Sequence, residues 1–170
     1  MAISFVVEDG TGKTNSTSYT SLATASDFVA LNKHETDWSG LTDGQKENLL
    51  MRATLILDDN MSWYGDMADS KQALQWPRLG VFDKSGTEIS SSTIPTFLKY
   101  ATAELARMFN KEDRDLDPDT KGFSSLSVRS LSMNIDKSDR RHVLPESVIR
   151  QVAFYGRVKR ATGTIRLGRT

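Results

Sequence analysis

Cysteine is absent from all 170 residues, which removes disulfide frameworks, thiolate zinc sites and cysteine nucleophiles together and suits a reducing compartment. No apolar run approaches the roughly 18 residues of a membrane span, and the first residues lack the basic flank and long apolar region of a secretion signal. The chain is therefore expected to be made and kept in the cytoplasm. Histidine occurs only at His34 and His142, neither in a pattern that supplies a nucleophile and an orienting acid, so no triad or metal pair is read from them. An excess of either charge is also missing, with 22 Lys+Arg against 22 Asp+Glu. That balance excludes a protein that coats nucleic acid or membrane with its whole surface, and any basic site must be local.

What is present fits one domain with a modest core, since 38% of residues are hydrophobic. The most specific residue choices lie in Gln72-Ala73-Leu74-Gln75-Trp76-Pro77-Arg78-Leu79-Gly80-Val81-Phe82-Asp83. Pro77 fixes its own φ and pushes Trp76 toward an extended conformation, so the chain turns there, with Trp76 anchoring the turn in a core. Asp83, Ser85 and Gly86 have the chemistry of a surface loop.

Helical spacing predicts a first helix from about Leu22 to Lys33 behind Ser21 as N-cap, and a second from Thr42 to about Asp58. A third ends near Phe109, with Ser92 or Thr93 as cap and Pro95 in its first turn, and a fourth opens at Pro145 and runs to about Gly156. The second and third are expected to pair as a helical hairpin and form the core. Ile3 to Val7 reads as a strand-like arm. Leu126, Val128, Leu131, Met133 and Ile135 alternate as in a β-hairpin, which in a helical protein would need a partner chain and so marks an oligomer interface. Beyond Gly156 the basic segment with Arg157, Lys159, Arg160, Arg166 and Arg169, and the apolar Ile165 and Leu167, reads as a tail that orders on a partner.

The expected fold class is therefore mainly α: a small helical bundle with an extended β-hairpin-like insertion, an N-terminal strand-like arm and an extended C-terminal tail. The divisions are residues 1–20 for the arm, 21–110 for the helical core, 111–144 for an acidic linker and hairpin, and 145–170 for the C-terminal helix and basic tail.

Two ligand motifs are approached and not completed. Gly10-Thr11-Gly12-Lys13-Thr14 follows a strand-like run as a phosphate loop would, but Val7 stands where that motif needs its first glycine and no apolar helix follows. Asp113, Asp115, Asp117 and Asp119 alternate like calcium ligands, but Pro118 replaces the turn glycine and Ser124 the bidentate Glu. Trp63, Tyr64 and Trp76 could stack bases, yet without interleaved cations they read as packing, with Trp63, Trp76 and Pro77 as structural core and turn residues. No catalytic residue, cofactor or metal is expected, and the chain is not read as an enzyme.

Val7-Glu8-Asp9-Gly10-Thr11-Gly12, Asn15, Ser18-Tyr19, Arg52-Ala53-Thr54, Leu57-Asp58, Trp63, Gly65, Gln72 to Arg78, Gly80-Val81, Asp83, Ile94-Pro95 and Ala103-Glu104-Leu105-Ala106 occur in one order. Over roughly the first 110 residues this series resembles a tailed-phage head-tail connector (adaptor) family, some members of which carry the label of DnaT-like single-stranded-DNA-binding proteins. Lys13 stands where that family has an apolar residue, and past residue 110 the likeness is looser. The resemblance implies a homo-oligomeric subunit, typically of a twelvefold ring, assembled in the host cytoplasm and residing in the virion neck. Such a ring lies beneath the portal protein, continues the channel for the phage DNA, and receives a tail or stopper/nozzle protein. It also implies that the C-terminal segment, with Arg157, Lys159, Arg160, Ile165, Arg166, Leu167 and Arg169, reaches the portal. The alternative is a single-stranded-DNA-binding protein using Trp63, Tyr64, Trp76 and the tail.

Overall fold

A computed structural model describes residues 3–113, 125–128, 131–134 and 143–159. The fold is mixed α/β, with helices and a hairpin as expected but with more strand pairing than the mainly α reading held. Four helices, α1 (Leu22–Ala30), α2 (Asp43–Asn60), α3 (Thr96–Lys111) and α4 (Glu146–Val152), are joined by short strands β1 (Met61–Trp63), β2 (Asp66–Met67), β3 (Arg78–Leu79), β4 (Ser125–Val128), β5 (Leu131–Asn134) and β6 (Gly156–Val158). The strands form three antiparallel pairs, β1 with β6, β2 with β3 and β4 with β5. The hairpin β4–β5 lies where the alternation of Leu126 to Met133 placed it, whereas the β1–β6 and β2–β3 pairs had no signal, because strands of two or three residues leave no period in a sequence.

Helix starts follow local chemistry. The Ser21 side chain accepts the Thr24 amide at the head of α1. Thr42 and Gln45 form a reciprocal capping box on α2, each side chain satisfying the other's backbone amide. At α3 the cap is Pro95 itself, with no side-chain bond, and neither Ser92 nor Thr93 serves; Pro95 has an extended backbone and stands just before the helix instead of inside its first turn. Helix α1 stops at Ala30, and α4 at Val152, earlier than their apolar spacing suggested.

Helix α3 is the common wall, packed on by α1, α2 and α4. Its buried Leu98, Ala101, Leu105, Ala106 and Phe109 meet Leu50, Ala53 and Leu57 of α2, Ala25 and Val29 of α1, and Val148 and Val152 of α4 in one core. Around the rim, Arg107 binds Glu35 at 2.8 Å and Glu104 at 2.8 Å, and Ser147 donates to Glu104 at 3.3 Å. The Arg107 guanidinium thereby ties the post-α1 loop to α3, and Glu104 carries the link on to α4. Burial raises the Glu35 carboxyl, but Arg107 and Lys111 outweigh it and hold it below its usual range.

The C-terminal segment is part of this body. Met61 pairs with Val158, Ser62 with Arg157 and Trp63 with Gly156, and the Lys159 amide donates to Asn60 O at 2.7 Å. The extended tail expected from residue 157 is thus folded through Lys159, and β6 closes over Met61 and Trp63. Close approach requires glycine at the end of the pair, because a Cβ on Gly156 would lie 2.8 Å from Ser62 O. At the other end, Ile3 to Val7 makes only one bridge, Val7 to Ser18, and folds back on residues 17 and 18 instead of standing out as a strand. A chain ending at Tyr155 should therefore melt well below the full chain, whereas one ending at Lys159 should match it; thermal unfolding followed by circular dichroism checks both.

Candidate functional site

Besides the Arg107 network, three clusters among the described residues gather chemistry-bearing side chains, and two of them turn inward. The first is built on Asp58, in the last turn of α2. Its carboxylate accepts Tyr19 Oη at 2.7 Å, Trp63 Nε1 at 3.2 Å and the Gln75 amide at 3.1 Å. Tyr19 Oη in turn accepts the Trp76 amide at 3.2 Å. One carboxylate thus joins the N-terminal segment, α2, β1 and the Trp76-Pro77 turn, whose peptide bond is cis. Burial is the largest influence on Asp58 and pushes its carboxyl up to about 6, against the pull of its three donors. Burial likewise raises the Tyr19 phenol, which stays a neutral donor.

Trp76 is fully buried and Trp63 nearly so. Their rings meet edge-on at 5.8 Å, Trp76 meets Phe97 edge-on at 5.7 Å, and Phe97 stacks on Tyr155 at 3.7 Å. Trp38 is also buried, its indole donating to Ser26 Oγ at 3.2 Å. No tryptophan offers a face to a base. The turn is closed by two side chains whose role the sequence did not disclose. Gln72 donates to Leu74 O and Pro77 O at 2.7 and 3.1 Å. Arg78 donates to Tyr64 O at 2.7 Å, to Gln75 O at 3.0 Å and to Gly65 O. Burial lowers the Arg78 guanidinium from its usual value.

The second cluster explains the unfinished phosphate loop. The amides of Gly10, Gly12 and Lys13 do converge on an anion, at 2.9, 3.0 and 2.8 Å, but that anion is the buried carboxylate of Glu8, which also accepts Ser16 Oγ at 2.8 Å. Backbone amides arranged this way form an anion-binding concavity, and here the chain fills it itself. Lys13 Nζ is held by Val7 O at 2.8 Å and Asp9 at 2.9 Å. Gly10, at φ 108°, lies so close to the Ser92 backbone that a Cβ would clash with it.

The third cluster faces solvent. Ser62 on β1 and Arg157 on β6 are outward partners, and exposed Tyr64 and Lys159 lie one residue beyond their strands. Arg157 Nε donates to Tyr64 Oη at 3.2 Å, and Lys159 Nζ to Asp58 O at 3.2 Å.

The candidate interface residues lie in the hairpin, whose register sets Leu126 opposite Met133 and Val128 opposite Leu131. It hydrogen-bonds to no other described strand. Ile135, Arg160, Ile165, Arg166, Leu167, Arg169 and His142 fall outside the described residues, as do all but the first of the alternating aspartates. Among the described residues no group of His, Asp and Glu could hold a metal ion, and no helix is long and apolar enough to cross a membrane.

The arrangement defines a small body whose polar clusters mostly satisfy one another. The sequence model of the family described as "Putative DnaT-like ssDNA binding protein" matches residues 3–160, and the chain belongs to that family. No curated protein and no solved structure matches it.

Because the raised carboxyl of Asp58 binds its proton more tightly in the folded state, its contribution to stability is full below about pH 4 and falls as pH rises to about 6, by up to ~3 kcal/mol. Asp58→Asn cannot accept the Gln75 amide and the Trp63 indole together without turning its own N–H groups on one of them, and should destabilise by about 1–3 kcal/mol. Its deficit against the wild type should be larger at pH 4 than at pH 7, as measured by urea unfolding across that range. A separate expectation is that Trp76→Ala lowers stability by about 3–5 kcal/mol, read in the same unfolding experiment.

Proposed function

We propose that this chain is a structural head-tail adaptor of a tailed bacteriophage. It works by assembly: copies form a homo-oligomeric ring, twelvefold in the family it resembles, beneath the portal protein. The ring extends the DNA channel and gives a platform for a tail or stopper protein, placing the chain in the virion neck. The observation that carries this reading is the hairpin β4–β5, two four-residue strands that pair only with each other among the described strands. An isolated hairpin is marginal in water, and its edges suit pairing with a neighbouring chain. The ordered residue series shared with connectors supports the same reading, as does a body that offers no tryptophan face for other work.

Portal contact is assigned to the segment beyond β6. Arg160, Arg166 and Arg169 supply charge and Ile165 and Leu167 the apolar anchors. Arg157 and Lys159 belong to the folded ribbon and would take part only from there. Charge is screened over about 8 Å in physiological salt, so the apolar pair governs retention and the arginines encounter.

The second reading, a single-stranded-DNA-binding protein, is favoured by the description of the family itself. Against it stand the buried tryptophans and the distribution of charge. The described body carries more acids than bases, and the compensating bases lie at residues 114–142 and 160–170.

Three outcomes separate these readings. Val128→Asp with Met133→Asp should leave the helical signal intact and abolish ring formation, checked by native mass measurement; rings of normal copy number would rule out the hairpin as the interface. A chain ending at Lys159 should fold but fail to attach to DNA-filled heads that lack the adaptor. Gel shifts with single-stranded DNA at two salt concentrations should show weak binding for an adaptor, whereas tight and steeply salt-dependent binding would favour the second reading.

A further inference from the structure

The geometry points to the outward face of the β1–β6 ribbon as a contact site for a single-stranded polynucleotide, with Tyr64 taking a base and Arg157 and Lys159 the neighbouring phosphates. The inference rests on the single-strand-binding reading and gives it a location other than the tryptophans. Along β1, Met61 and Trp63 are buried and Ser62 is exposed; along β6, Arg157 is exposed and Val158 packs inward. Tyr64 and Lys159 continue the outward series. Their backbones are fixed at the two ends of the ribbon, since the Tyr64 amide donates to Tyr155 O at 3.0 Å and the Lys159 amide to Asn60 O at 2.7 Å. A stacking residue on such a base is preorganised, which limits the ordering cost of binding.

Tyr64 is 43% exposed, unlike any of the tryptophans. The Arg157 guanidinium carbon is 6.0 Å from its ring centroid while Nε bonds its hydroxyl. The cation is over the ring at that distance, and the exposure that Tyr64 keeps beside it is the surface left for a base. Neither Arg157 nor Lys159 is in an ion pair within the described residues. Asp58, whose backbone carbonyl Lys159 touches, turns its carboxylate inward to Tyr19, Trp63 and Gln75 and so does not neutralise the lysine. Two cations outside any ion pair among the described residues fit a polyanion, and an exposed aromatic ring at the Arg157 end of the ribbon fits one whose bases are free to stack. A duplex keeps its bases paired and would use only the charges. The pattern Arg157, Lys159, Arg160 continues the basic character into the next residue.

The test is fluorescence anisotropy of the full chain with a labelled oligothymidylate, at about 50 and about 200 mM salt. Tyr64→Ala should weaken binding about tenfold or more, and Tyr64→Phe should bind as the wild type does. Arg157→Gln with Lys159→Gln should lower the slope of log affinity against log salt by about 1.4, the value for two phosphate contacts on a single strand. Should Tyr64→Ala lower the melting temperature, Tyr64→Leu repeats the stacking test with the bulk retained. Wild-type binding that none of these variants alters would overturn the proposed face while leaving the single-strand-binding reading standing. Equal competition by unlabelled duplex would overturn the role given to Tyr64. Failure of the wild-type chain to bind the oligonucleotide would remove both the face and the reading beneath it.

Discussion

The Asp58 carboxylate is the constraint on which the rest of the body depends. It sits where α2 ends and β1 begins, and its three donors come from segments that share no local contact in sequence: Tyr19, Trp63 and Gln75. Through Tyr19 Oη it also fixes the Trp76 amide. Burying a carboxylate is costly unless its lone pairs are met, and here two of the donors, Tyr19 and Trp63, are themselves core aromatics, while the third, the Gln75 amide, adjoins Trp76. The position of Trp76 between Trp63 and Phe97 follows from this arrangement as much as from packing. Once Trp76 is seated, Phe97 brings α3 into the same cluster and Tyr155 brings the end of α4.

The same logic recurs at Glu8 and Arg78. Each is a charged group with a familiar external use, an acid beside a glycine loop and an arginine in a turn, and each is turned on the backbone of its own chain. Glu8 takes four donors from residues 10–16, and Arg78 donates to three carbonyls on either side of β2. Charge-assisted bonds of this kind are stronger than neutral ones and hold loops that have little regular structure. A body that contains so few long strands can in this way keep residues 8–20 and 64–80 in one conformation.

How much of this was legible in the sequence divides along the range of the interactions. Local signals carry to the structure: Ser21 and Thr42 cap α1 and α2, and Leu98, Ala101, Leu105 and Phe109 face the core at helical spacing. The inward turn at Trp76-Pro77 follows from proline stereochemistry and an apolar neighbour. Long-range pairings had no such signal. Gly156–Val158 is too short and too basic to announce a strand, and only its register against Met61–Trp63 makes it one. The carboxylates of Glu8 and Asp58 look, in sequence, like any surface acid. The failed glycine spacing excluded a phosphate loop correctly, but nothing local showed that an internal carboxylate would occupy the nest.

These internal satisfactions also bear on function. A side chain whose bonding capacity is filled within the fold has little to offer a ligand, so Trp38, Trp63, Glu8 and Arg78 are withdrawn from recognition by the same contacts that make them structurally important, and Trp76 is withdrawn by burial alone. Among the surfaces that stay open in the described body are the backbone edges of the hairpin and the exposed face of the β1–β6 ribbon. A backbone edge recognises another chain by hydrogen bonding and carries no sequence information, which is the property that repeated copies of one subunit require. The ribbon face offers an aromatic ring and two cations, the chemistry of a strand of nucleic acid. The proposed assembly and the proposed strand contact would therefore call on different surfaces, and neither would require disturbing the Asp58 hub.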